Sequence, residues 1–95
     1  MKFKDVPKDK IHKIADSAIA GLNDLGHDYN CCKTTENPED DEEAIMKFEG
    51  NGLEPAELNI TASFLKVMDA NVLANSLVSG IDELIKKSKQ NEGEV

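Results

Sequence analysis

The chain has 95 residues, 32% of them charged, with three Phe, one Tyr, no Trp and a formal net charge of −8. A domain of this length buries on the order of 60–65% of its unfolded surface, so the sequence can support one modest, mainly aliphatic core. No run of about twenty apolar residues is present, which excludes a transmembrane helix. The opening Met1-Lys2-Phe3-Lys4-Asp5 lacks the apolar stretch of a signal peptide, so the expected compartment is the cytosol, with no membrane partner.

The first predicted element is a helix with Pro7 in its first turn, after Asp5 or Val6. Ile11, Ile14, Ala15, Ala18, Ile19, Leu22 and Leu25 recur at three and four residues and define one apolar face. Gly26 follows as the C′ residue. Ser17, Ala18 and Gly21 form a track of small residues. It is either a wet face that tolerates Gly or a close helix contact, within the fold or between two chains. Tyr29 to Thr35 reads as a short strand. Glu36 to Glu43 reads as a loop with Asn37-Pro38 as its turn signal, or as the start of a short helix. Ala44 to Glu49 reads as a strand that ends in the turn Gly50-Asn51-Gly52.

Strict alternation from Leu58 to Phe64 predicts a strand with one buried face, continuing to Val67. After Asp69, an N-cap acceptor, the period changes. Ala70, Leu73, Ala74, Leu77, Val78, Ile81, Leu84 and Ile85 fall on one helical face. Residues 1–88 are expected to form the domain and 89–95 a flexible polar tail.

This order predicts an α+β fold: helix, two or three antiparallel strands, helix, with both helices on one face of the sheet. The alternative is an all-α hairpin or bundle in which one helix starts at Pro55. That helix would split its apolar residues between two faces, Leu58/Ala62/Leu65 and Ile60/Phe64/Val67, whereas a surface helix needs one stripe. The preferred order resembles that of double-stranded-RNA-binding domains. Those domains contact phosphates with a Lys cluster at the start of the last helix. Here that position reads Asp69-Ala70-Asn71-Val72, so the resemblance carries topology and no RNA-binding function.

The acidity is confined to one segment. Residues 36–57 hold nine acids against Lys47 alone, and the remaining chain balances ten Lys with ten acids. All basic residues are Lys. The missing Arg removes the planar fork used for bidentate phosphate or guanine recognition. Cys31 and Cys32 are adjacent, with Cα atoms about 3.8 Å apart, closer than disulfides prefer. They read as free thiols in a reducing compartment, one facing the core and one facing out.

Chemistry-bearing patterns are few. His27 with Cys31 or Cys32 offers too few ligands for structural zinc, which takes four. As a Cys-His nucleophile the group lacks any sign of an oxyanion site. His12 and Asp16 read as a surface i,i+4 pair, as do Asp82 with Lys86 and Glu83 with Lys87. The acidic run lacks the spacing of a calcium loop, and Gly50-Asn51-Gly52 lacks the residues of a phosphate loop.

The expectation is a non-enzymatic domain without cofactor or metal. It would dock on a larger basic protein, for example a nuclease or another nucleic-acid-binding protein, and make no direct nucleic-acid contact itself. The partner-binding residues would be Glu39, Asp40, Asp41, Glu42, Glu43, Glu49, Glu54 and Glu57. In size and charge the chain resembles small acidic phage proteins that block nucleases. The alternative is an oligomeric protein that sequesters a small ligand such as a nucleotide. Ser17, Ala18 and Gly21 would allow close chain packing, and Lys8, Lys10 and Lys13 would supply a basic rim. Val67-Met68-Asp69-Ala70-Asn71 resembles a stretch of phage cyclic-nucleotide sponges.

Overall fold

A computed structural model describes residues 1–52 and 54–93, with side chains as far as Ser88. A 3-10 turn at Phe3–Asp5 leads to α1 (Lys8–Asp24), β1 (Cys31–Asn37), β2 (Asp40–Glu49), β3 (Ala56–Thr61), α2 (Ala62–Val67) and α3 (Ala70–Gly93). The three strands form an antiparallel sheet in the order β1-β2-β3. This is the expected α+β arrangement, and the strand at 56–61 overturns the all-α alternative. Residues 94 and 95 of the expected tail lie outside the described residues, and α3 continues to Gly93.

The sheet buries one face. Ala44, Met46 and Phe48 of β2 are fully buried, while Ile45, Lys47 and Glu49 between them are half-buried on the other face. The register aligns Cys32 and Ala56 with Phe48, Thr34 and Leu58 with Met46, and Ile60 with Ala44. Over this layer lie Ile14, Ala18 and Leu22 of α1, Leu65 of α2, and Leu73, Leu77, Val78 and Ile81 of α3. Among the described residues no polar side chain is buried and no buried side-chain nitrogen or oxygen lacks a partner.

α1 starts one residue later than expected. Pro7 is its N-cap, at φ −60 and ψ 132, because extended backbone at this position turns Val6 into the core. The helix ends as predicted. Gly26 has φ +88, its amide donates to Asn23 O, and the His27 amide donates to Leu22 O. These two bonds make a Schellman closure, which needs a residue at positive φ. The small-residue track is a contact within the fold. A Cβ at Gly21 would lie 2.9 Å from Val78 Cγ2, so the missing side chain lets α1 approach α3.

Two expectations fail at element ends. The run Asp40 to Glu43 is the first part of β2 and not a loop. Only Pro38 and Glu39 form the turn, where the Glu39 amide donates to Asn37 Oδ1. The four acids have exposed or half-exposed side chains, so their charge does not oppose strand pairing. The strand expected to run to Phe64 and Val67 stops at Thr61. Thr61 Oγ1 accepts from the Phe64 amide at 3.4 Å and caps α2. Past Thr61 burial follows helical spacing: Ala62 and Leu65 are fully buried, while Phe64 is 54% and Val67 78% exposed. Asp69 caps α3 as expected, with Oδ1 accepting from Asn71 and Val72 amides at 2.9 and 3.2 Å.

The turn after β2 passes hard against the chain leaving α1. A Cβ on Gly50 would stand 2.1 Å from Asp28 O, a backbone atom that cannot rotate away. Gly50→Ala should therefore cost at least about 2 kcal/mol in denaturant unfolding. Gly80, in α3, has open space around it. Gly80→Ala should stabilise by up to about 1 kcal/mol through helix propensity, giving the opposite sign in the same assay.

Candidate functional site

The β1–β2 hairpin concentrates charge. Glu36, Glu39, Asp40, Asp41, Glu42 and Glu43 occupy its closed end. Pairing passes from Glu36↔Ala44 to Asn37↔Asp40, so Asp41, Glu42 and Glu43 have no partner on β1. In unbroken register Glu43 would face Asn37, Glu42 would face Pro38 and Asp41 would face Glu39, and the bulge removes these pairings. Asp40 Oδ1 accepts from the Glu42 amide at 3.0 Å and fixes the bulge locally. Glu43 pairs across to Thr61 of β3.

Cations from the start of the chain reach this end. Lys2 Nζ lies 3.2 Å from Asp41 Oδ2, and the Met1 amino group lies 3.9 Å from Glu42 Oε1. These exposed pairs are weak, each contributing about 1 kcal/mol or less. Six carboxylates against these two cations leave the hairpin end strongly negative.

The other expected partner-binding residues stand apart. Glu49 ends β2, nine residues from Asp40, which places it about 30 Å away along an extended strand. It lies 3.9 Å from both Lys33 and Lys47 on the open sheet face, and the two lysines neutralise it. Glu57 pairs opposite Lys47. Glu54 lies in the β2–β3 connection, where its carbonyl accepts from the Tyr29 hydroxyl at 3.3 Å. The eight acids therefore divide into a concentrated group of five at 39–43, two of them in range of a cation, and a dispersed group at 49, 54 and 57.

His27 and the two cysteines do not converge. His27 Nε2 donates to Asp82 Oδ1 at 2.8 Å, and Lys86 Nζ donates to Asp82 Oδ2 at 2.9 Å. The expected helix-surface pair Asp82–Lys86 is thus part of a tie between α3 and the α1–β1 loop. Sequence spacing signalled only its local half, because His27 is 55 residues away. The same loop is pinned by Asn23, whose Nδ2 donates to Ile19 O and Tyr29 O, both at 2.9 Å.

Cys31 and Cys32 point to opposite sheet faces by strand alternation. Cys32 packs against the core. Burial pushes its thiol up to about 11, the Thr34 hydroxyl at 4.0 Å opposes this slightly, and the charges of Cys31 and Asp16 add to it. A thiol in this state is a poor nucleophile. Among the described residues no three His, Cys, Asp or Glu side chains gather at metal-binding range. None of their helices is long and apolar enough to cross a membrane.

Comparison with protein families, with curated proteins and with solved structures finds no match.

Two outcomes test this description. At pH 8 Cys32 holds about one thiolate in a thousand, so the Cys31→Ser protein should react with iodoacetamide at least about tenfold more slowly than the Cys32→Ser protein. The hydrogen bond from His27, then that from Lys86, holds the Asp82 carboxyl below its ordinary 3.8. A depressed folded pKa gives stability that is complete above the unfolded value and is lost as pH falls through the folded one. The stability difference between the native chain and Asp82→Asn should therefore be constant near neutrality. It should shrink as pH drops below 3.8, read from urea unfolding across a pH series.

Proposed function

We propose that this protein is a non-enzymatic binding domain that docks on a basic protein through the closed end of its β1–β2 hairpin. The observation that carries this reading is the set of six carboxylates at positions 36 and 39–43, gathered at the closed end of the hairpin, where Lys2 and the Met1 amino group are the cations in ion-pair range among the described residues. Charge of one sign on a projecting element steers association and rejects partners of like charge. The partner class that fits best is a protein whose basic cleft binds nucleic acid. Acids on one face of extended backbone repeat about every 6.6–6.8 Å, two axial steps of about 3.4 Å per phosphate along one DNA strand. The same reading places the protein in the cytosol, where its two free thiols stay reduced.

Glu49 and Glu57 contribute less, since Lys33 and Lys47 share their surface. The hairpin end therefore accounts for most of the binding. Affinity capture from a cell lysate at low and moderate salt should retain a basic protein on the native chain, with weaker retention as salt rises. The variant Asp40→Lys/Asp41→Lys/Glu42→Lys/Glu43→Lys should lose that protein while keeping its circular dichroism spectrum. The control Glu54→Lys/Glu57→Lys should keep it. Equal capture by the hairpin variant, or loss only in the control, refutes the reading.

A further inference from the structure

A second region carries the opposite charge. Phe3, Val6, Ile11 and Ala15 line a cavity of about 280 Å³ between the N-terminal segment, α1 and the edge strand β1. Cys32 and Thr34 of β1 complete its wall, and Lys4, Lys8 and His12 stand around it. No carboxylate belongs to the lining. The one acid felt at the wall is the exposed Asp16, through its effect on the Cys32 thiol. In a chain of net charge −8, this is a concave apolar surface whose lining charges are all cationic.

The rim follows from sequence spacing once the fold is known. Lys8 and His12 are one turn apart on α1, and Lys4 comes from the turn at Phe3–Asp5, joined to α1 through Val6 and Pro7 in extended backbone. Ile11 and Ala15, offset by one turn, supply the apolar side. The high thiol pKa of Cys32 agrees with an apolar wall at this point.

We infer that this cavity binds a small amphipathic anion, a carboxylate carrying an unbranched apolar chain, with the chain against Phe3, Ile11 and Ala15 and the carboxylate among Lys4, Lys8 and His12. Size sets the chain length. A cavity of about 150 Å³ holds one benzene ring, so 280 Å³ takes roughly ten carbon atoms. Ligand sites of this kind combine an apolar lining with a few polar groups that fix orientation. The carboxylate gives those polar groups a partner, whereas a neutral or cationic head leaves Lys4 and Lys8 unmatched. This site is separate from the acidic hairpin and stands or falls independently of it.

The test is a titration of the full chain with decanoate below its micelle concentration, followed by amide chemical shifts. Saturable shifts should appear at Lys4, Lys8, Ile11, Ala15, Cys32 and Thr34, with a Kd of about 1 mM or tighter. Decan-1-ol and decyltrimethylammonium should bind at least tenfold more weakly. Lys4→Glu/Lys8→Glu changes two exposed residues and should weaken decanoate at least tenfold with the fold intact. Ala15→Met, which fills the cavity, should do the same if it folds. Absent shifts, equal binding of the three probes, shifts confined to the groove around Tyr29, Leu84 and Ile85, or undiminished binding by the double Lys variant each overturn the assignment. So does sedimentation with phosphatidylglycerol vesicles when decanoate gives no shift, since that outcome would make the face a membrane contact.

Discussion

β2 has to satisfy two demands that cannot be met at the same place. Its second half buries Ala44, Met46 and Phe48 completely under the helices. Its first half is Asp40-Asp41-Glu42-Glu43, four ionised groups in succession. A carboxylate taken out of water without a partner costs several kcal/mol, so the helical layer cannot extend over that half. The sheet therefore has a covered end and a solvated end. The covered end fixes where α1 and α3 lie, and the solvated end becomes the acidic projection. The bulge at 41–43 lies in this solvated half, and it takes out of the ladder the one like-charged pair, Glu39 with Asp41, that an unbroken register would form.

With few aromatic residues, the core achieves density through close backbone approach. Gly21 admits Val78, and Gly50 admits the carbonyl of Asp28. These contacts draw the α1–β1 loop down onto the end of the sheet. Tyr29, 3% exposed, fills the space there and spends its hydroxyl on the Glu54 carbonyl. His27 and Asp82 close the loop against α3. A histidine and a cysteine pair that sequence proximity sets side by side are thereby separated, the histidine toward α3 and the cysteines to the two faces of β1.

The first six residues serve both charged regions. The Met1 amino group and Lys2 reach the acidic hairpin, while Phe3, Lys4 and Val6 line the cavity beside α1. Val6 is buried and anchors the segment in the core. The segment thus divides the surface, with acids beyond one side of it and the cationic rim on the other.

Much of this was determined by local pattern. The helices at 8–24 and from Ala70, the caps at Gly26 and Asp69, the strand at 44–49 and the α+β class all follow from periodicities and turn residues a few positions apart. The concentration of acid at 36–57 is also a property of the chain alone. What tertiary structure decided lies at longer range. It ended β3 at Thr61, where alternation continued but burial passed to the helical spacing of Ala62 and Leu65. It drew Asp40 to Glu43 into a strand, with Asp40 paired to Asn37 of β1 and Glu43 to Thr61 of β3. It split the eight acids by setting Glu49 between Lys33 and Lys47, joined His27 to Asp82 across 55 residues, and brought Cys32 beside Lys4, Lys8 and His12. Sequence spacing reports which residues share a face of one element. Which faces meet depends on the packing of whole elements, and that is settled only when the common core forms.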